Sequence, residues 1–97
     1  MTTVVHCKKT NYDVYIGRPS KWGNPFVIGK DGTRADVISK YHTWLQTQPE
    51  LLVALSELKD KILGCWCSPL PCHGDVLASL ADQVHERALE ETGGVGL

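Results

Sequence analysis

The run Ile62-Leu63-Gly64-Cys65-Trp66-Cys67 carries no charged side chain and no alternation of apolar with polar residues. An edge strand with one wet face would place a polar residue at every second position, so this run reads as a central strand covered on both faces. Ser68-Pro69-Leu70-Pro71 breaks it, and from about Cys72 the residues Val76, Leu77, Leu80, Ala81 and Val84 recur at helical spacing. A buried strand leading straight into a helix belongs to α/β architecture, in which ligands gather at the carboxyl ends of strands. That end here is the segment from Cys65 to Asp75.

The rest of the chain fits around this strand. Thr2 to Cys7 is β-branched and suits a first strand, Tyr12 to Ile16 a second, and Val27-Ile28 a return to the sheet. Between them, Gly17 to Phe26 holds two Gly, two Pro and one Asn in ten residues, which forbids a helix and marks a shaped loop. Thr33 and Asp36 have capping-box spacing, and Val37, Tyr41, Trp44 and Leu45 follow on one face, predicting a helix over 34–47. Pro49 opens a second helix with a stripe of Leu51, Leu52, Leu55 and Leu58. The expected fold is a small α/β domain over 1–92, with a flexible tail at 93–97. It has a single-layer mixed sheet of three to four short strands and about three helices. A Rossmann-like corner is expected where strand 62–67 meets helix 72–90.

The longest stretch free of charge, Ile62 to Gly74, has 13 residues and two prolines, too short to cross a bilayer, which takes about 20. The first residues lack the basic and apolar regions of a secretory signal, so the expectation is a cytoplasmic protein with no membrane partner. In that compartment Cys7, Cys65, Cys67 and Cys72 are read as metal ligands, reactive thiols or core residues before disulfides. Charge is uneven along the chain. Residues 1–34 carry six Lys/Arg against two Asp, net +4, and residues 35–97 carry four against nine acids, net −5. A field this small suits a small anionic ligand better than duplex nucleic acid, which needs many phosphate contacts.

Two constellations could carry chemistry. Cys65, Cys67, Cys72 and His73 supply four zinc donors, with Cys7 or His6 able to replace one. Against zinc, positions 65 and 67 of an extended strand lie roughly 6.5 to 7 Å apart, whereas two thiolates on one tetrahedral ion stand only ~3.8 Å apart. Chelation would need the strand to stop at Cys65. Without metal, Cys72 is the candidate nucleophile, because a helix N-terminus depresses a thiol pKa. His73 is a candidate base or phosphate donor, and Asp75 either orients it or caps the helix. Trp66 faces away from Cys65 and reads as core or as a pocket wall.

The same helix start is an anion site, with Gly74 allowing close approach and the 17–26 loop adding Arg18 and Lys21. Trp22 could stack on a base or sugar and Asn24 read a ring edge. Equally, Trp22 and Phe26 could pin the loop to the core while Asn24 bonds its own backbone.

Tyr15-Ile16-Gly17-Arg18-Pro19-Ser20-Lys21-Trp22-Gly23-Asn24-Pro25-Phe26, Gly64-Cys65-Trp66-Cys67 and Pro71-Cys72-His73-Gly74-Asp75 together resemble the phage and bacterial family called domain of unknown function 4326. The resemblance spans roughly residues 4–82. It implies a phage origin, and that the Trp22 to Phe26 loop and the Cys65 to Asp75 segment define the site. It brings no established reaction. The Cys72-His73 step is also similar to the Cys-His-Arg corner of another α/β family, but Gly74 stands where that family has Arg.

The expectation for function is a cytosolic protein, in the host cell if phage-encoded, that binds a phosphate-bearing, nucleotide-derived small molecule. Arg18, Lys21, Trp22, Asn24 and Gly74 would hold it. Transfer or hydrolysis by Cys72, His73 and Asp75 would follow, or simple sequestration. The alternative is a zinc-stabilised module docking on a host protein or nucleic acid.

Overall fold

The computed structural model describes residues 1–95. Its strands are β1 (Thr3–His6), β2 (Val14–Tyr15) and β3 (Ile62–Cys65), and its helices are α1 (Arg34–Leu45), α2 (Pro49–Ala54) and α3 (His73–Val95). A short 3-10 turn, Leu55–Leu58, follows α2.

β3 lies in the middle of a three-stranded sheet, in the order β1-β3-β2. Val4 and Val14 both stand opposite Leu63, and both neighbours run parallel to β3. The sheet is therefore parallel and not mixed. The chain leaves β2, crosses through α1 and α2, and re-enters at β3 in the same direction, as a helical crossover requires. Val27-Ile28 does not rejoin the sheet; Asp31 accepts a hydrogen bond from the Val27 amide and closes a turn there instead.

The helices pack on one face only. Leu63 and Cys65 point into a core with Ile16, Tyr41, Leu45, Leu58, Leu77 and Ala81. The alternate positions Ile62 and Trp66 project from the opposite face and are exposed, with Trp66 at 54%. The expectation of a strand covered on both faces is thus corrected. Over Gly64 the second face is covered by the Tyr12 ring, which a Cβ would meet at 2.6 Å.

The capping box of α1 forms as its spacing predicts, with Thr33 Oγ1 accepting from the Asp36 amide at 3.2 Å and Asp36 accepting from the Thr33 amide at 2.9 Å. α1 ends at Leu45, two residues short of its expected end. α3 starts at His73 and runs through Gly93-Gly94 to Val95, past the stop expected before Gly93. Mid-helix glycine costs about 1 kcal/mol relative to alanine, which weakens a helix without ending it. The remainder of the expected tail, residues 96–97, lies outside the described residues. Among the described residues no helix is long and apolar enough to cross a membrane.

Candidate functional site

Parallel strands end at a common rim, so the residues that follow β2 and β3 are neighbours whatever their separation in sequence. Gly17 and Arg18 leave β2, Cys65, Trp66 and Cys67 leave β3, and the start of α3 returns beneath them with Cys72 and His73. Together with Arg34 and Ile38 of α1 they line a cleft of about 120 Å3. The two stretches singled out in the sequence do converge. Trp22 and His73 lie against the same side chain: Tyr41 donates its hydroxyl to the Trp22 carbonyl at 2.8 Å and meets the His73 ring edge-on at 5.0 Å.

Two thiols form the floor of the cleft. Cys65 is the last residue of β3 and Cys72 immediately precedes α3; both are buried, and their sulfurs stand 3.3 Å apart. Cys72 Sγ accepts a hydrogen bond from the Gly74 amide at 3.3 Å, and the Asp75 carboxylate accepts from the Cys72 amide at 3.0 Å. Cys72 thus caps the helix through its sulfur on the second amide, and Asp75 reaches back to the Cys72 amide as the third residue of a capping box does. Asp75 takes the capping role, one of the two expected for it, and makes no hydrogen bond to His73.

The two thiols shift in opposite directions. Hydrogen bonding from Cys72 lowers the Cys65 pKa to about 6 against the opposing effect of burial, and the amides of Ser68 and Cys67 lower it further. Cys72 is pushed up from the ordinary thiol range, first because its hydrogen is shared with Cys65 and then by burial. Two thiols in contact do not both ionise. The direction of the two shifts favours Cys65 as the thiolate and Cys72 as its donor.

His73 is 8% exposed, and its Nε2 donates to the Ile16 carbonyl at 2.7 Å. Burial lowers its pKa below the usual histidine value, the bond to Ile16 opposes this, and the nearby Arg18 charge adds to the lowering. The ring is neutral near pH 7. With the proton on Nε2, Nδ1 is the acceptor nitrogen.

Four of the residues expected to bind ligand make structural contacts, which for Trp22 and Asn24 match the alternative reading of the loop. Lys21 points away from the cleft, paired with Glu57 at 3.2 Å and lying 5.3 Å from the centre of the Trp22 ring. Trp22 is 2% exposed and belongs to the core. Asn24 lines the cleft with both ends of its amide engaged, donating to the Val37 carbonyl at 3.2 Å and accepting from the Phe26 amide at 2.9 Å. It clips the loop to α1. Gly74 serves packing: a Cβ there would meet Ile16 Cδ1 at 2.7 Å and Val4 Cγ1 at 3.0 Å, so the glycine lets α3 lie close on the sheet. Its amide, expected to hold phosphate, is occupied by Cys72 Sγ.

Two residues take the places vacated. Arg34, in the first turn of α1, lines the cleft and donates from Nη1 to the Pro71 carbonyl at 3.1 Å. Trp66 stands at the mouth, its indole N–H donating to the Tyr15 hydroxyl at 2.7 Å, with Lys8 Nζ 5.5 Å from its ring centre. Sequence reasoning counted Arg34 only as charge. Its signal was its place directly after the capping Thr33. No Asp or Glu is among the residues lining the cleft, so Arg18 and Arg34 meet no competing carboxylate there.

The donor set does not fit zinc. β3 does end at Cys65, but Cys65 and Cys72 pair with each other and His73 Nε2 is bound to Ile16. Among the described residues no group of three or more His, Cys, Asp or Glu side chains is placed to hold an ion. Two sulfurs are half of what a structural zinc site takes.

Fold and site together define a small α/β protein with a basic, thiol-floored cleft at the carboxyl rim of a parallel sheet. The chain belongs to the family described as Domain of unknown function (DUF4326), whose model matches residues 4–83. It is 38% identical over 88 residues to uncharacterized protein R718 of Acanthamoeba polyphaga mimivirus, covering 72% of this chain and 67% of the relative. It is 34% identical over 86 residues to an uncharacterized 12.4 kDa protein from the nrdA-td intergenic region of Enterobacteria phage T4, covering 84% and 78%. No solved structure matches it.

Proposed function

We propose that the protein binds a phosphate-bearing, nucleotide-derived small molecule in the cleft, and that the Cys65 thiolate attacks it in a transfer or hydrolysis. The observation that supports this reading is the pairing of Arg18 and Arg34, with no carboxylate in the lining, above a polarised thiol. Guanidinium groups suit phosphate because their planar N–H pairs match two of its oxygens.

Size decides how such a ligand would sit. A cavity of about 150 Å3 holds a benzene-sized group, so about 120 Å3 takes a phosphoryl group or a pentose and not a whole nucleotide. The base would remain at the mouth, against exposed Trp66. Neutral His73 lines the same cleft and supplies a proton acceptor there, as hydrolysis of a covalent intermediate requires. This reading places the protein in a reducing cytosol, where both the thiolate and such ligands persist. Sequestration without turnover is the second outcome the same cleft allows, and it is recognised by recovery of the ligand unchanged.

The test is thermal unfolding with a panel of nucleoside mono-, di- and triphosphates and nucleotide sugars. A ligand at a hundred times its Kd stabilises by about 2.7 kcal/mol, and each kcal/mol moves the melt of a domain this size by roughly 4–8 °C. The expected shift is therefore on the order of 10–20 °C. Arg18→Ala and Arg34→Ala abolish it and leave the unliganded melt within a few degrees, whereas Lys21→Ala leaves it intact. A panel in which nothing shifts the melt refutes the proposal.

A further inference from the structure

We propose that Cys65 and Cys72 are a reversible redox couple, closed to an intramolecular disulfide by hydrogen peroxide, and that closure switches off the thiol chemistry of the cleft. The inference shares the floor of the cleft with the functional reading above and does not depend on which ligand binds there.

Geometry carries the argument. The sulfurs are 3.3 Å apart, and a disulfide bond is about 2.05 Å long, so a little over 1 Å of approach completes it. Each cysteine sits at the end of an element, one closing β3 and the other capping α3. The six residues joining them include Ser68, exposed Pro69, exposed Leu70 and exposed Pro71, so the join lies mostly on the surface. Small rotations at both ends can bring the sulfurs together without moving the sheet or the body of α3. Both cysteines line the cleft, whose volume of about 120 Å3 admits a molecule as small as peroxide.

The chemistry balances with peroxide as the two-electron oxidant. The Cys65 thiolate attacks one peroxide oxygen, the O–O bond breaks, and hydroxide leaves, giving a sulfenic acid on Cys65. Cys72 sulfur then attacks the Cys65 sulfur. The S–S bond forms, the S–O bond breaks, and water leaves with the proton of the Cys72 thiol. An external dithiol reverses the reaction by exchange, giving up two electrons and two protons to the cysteine pair and becoming a disulfide itself. The low Cys65 pKa supports the first step, since the thiolate is the reactive form. Cys67 lines the same cleft and Cys7 is half-buried, but the hydrogen-bonded partner of Cys65 is Cys72.

The experiment titrates the folded, reduced full chain with hydrogen peroxide. Titratable thiols are expected to fall from four to two, the intact mass to drop by two hydrogens, and peptide mapping to join Cys65 to Cys72. Dithiothreitol restores all four. In Cys72→Ser, oxidation stops at a sulfenic acid on Cys65 that dimedone traps, and Cys67→Ser still closes the bond. Mapping that joins Cys65 to Cys67 or Cys7, a disulfide between two chains, or overoxidation of wild-type Cys65 without a disulfide overturns the proposal. Mapping on the wild type decides even if Cys72→Ser fails to fold. Closure is read with no nucleotide present, so its failure and the failure of nucleotide binding are separate results.

Discussion

Replacing Cys72 with alanine removes the thiol that does most to hold Cys65 ionised. A hydrogen bond to a charged group contributes about 1.5–3 kcal/mol, and 1.36 kcal/mol equals one pH unit, so losing it raises the Cys65 pKa by roughly 1–2 units. The amides of Ser68 and Cys67 keep it from returning fully to the ordinary thiol value. A midpoint about 1.5 units higher has two opposed effects on alkylation, since the thiolate fraction falls at acid pH while the thiolate becomes intrinsically more nucleophilic.

With a Brønsted slope near 0.45, iodoacetamide labels the variant about fivefold more slowly than wild type at about pH 5.5 and about fourfold faster at about pH 8.5. The two profiles cross near pH 7. Any change in access to the cleft scales the whole profile, so the robust quantity is the ratio of alkaline to acid rate, which rises by about 20-fold. The assay is mass-resolved alkylation of Cys65 in each protein across that range, checked by the ultraviolet absorbance of the thiolate. Parallel profiles, or a wild-type midpoint for Cys65 between 8 and 9 with Cys72 labelled first, would refute the assignment of charge to Cys65.

Two further outcomes test the packing and the neutral histidine. Gly74→Ala puts a methyl group against Ile16 and Val4, and overpacking of this kind costs about 1–3 kcal/mol, so the unliganded melt drops by roughly 4 °C or more. An unchanged melt with loss of ligand binding would return Gly74 to the ligand. His73 is held below the ordinary histidine pKa by burial, so below about pH 6.5 the unfolded chain takes a proton that the folded one refuses. Stability is therefore full above that pH and falls on acidification, by up to about 1.4 kcal/mol per unit. Urea midpoints between pH 6 and 5 should show this slope below the Cys65 midpoint, and His73→Gln, which can still donate to the Ile16 carbonyl, should flatten it. Equal slopes in both proteins would place the titration elsewhere.

What the chain discloses before folding follows from how local each signal is. The capping box at Thr33 and Asp36, the leucine stripe after Pro49 and the unalternating Ile62 to Cys67 run depend on neighbours within a few residues, and each predicts where its element starts, although α2 gives way to the 3-10 turn at Leu55 and β3 stops at Cys65. The convergence of the two motif stretches was also legible, because strands that share a direction share a rim. The partition of side chains at that rim was not. Trp22 and Trp66 are equivalent as composition, yet one is in the core and the other at the mouth of the cleft. Trp66 is out of phase with Leu63 and Cys65, so it faces away from the helices. The Trp22 position is set by long-range bonds, from Tyr41 to its carbonyl and from Asn24 to Val37, that no local pattern encodes. Lys21 goes with it, to the outside of the loop and to Glu57, and Arg34 becomes the second cation by its place in the first turn of α1.

The exchange of roles between Cys65 and Cys72 is a matter of magnitudes. A helix N-terminus favours negative charge by about 0.3–1 kcal/mol, up to ~2 kcal/mol in a partly buried setting. That effect alone selects Cys72. Here the N-terminal field is already shared, because the Asp75 carboxylate takes the Cys72 amide and Gly74 is the only amide bonded to the Cys72 sulfur. On Cys65 the hydrogen bond from the Cys72 thiol is the largest influence, a bond to a charged acceptor that contributes about 1.5–3 kcal/mol, and the amides of Ser68 and Cys67 act in the same direction. A directed hydrogen bond from the neighbouring thiol outweighs a dipole already shared with Asp75. A sulfur at the end of a parallel strand can therefore be a stronger anion than one at the head of the following helix when that second sulfur is its hydrogen-bond donor.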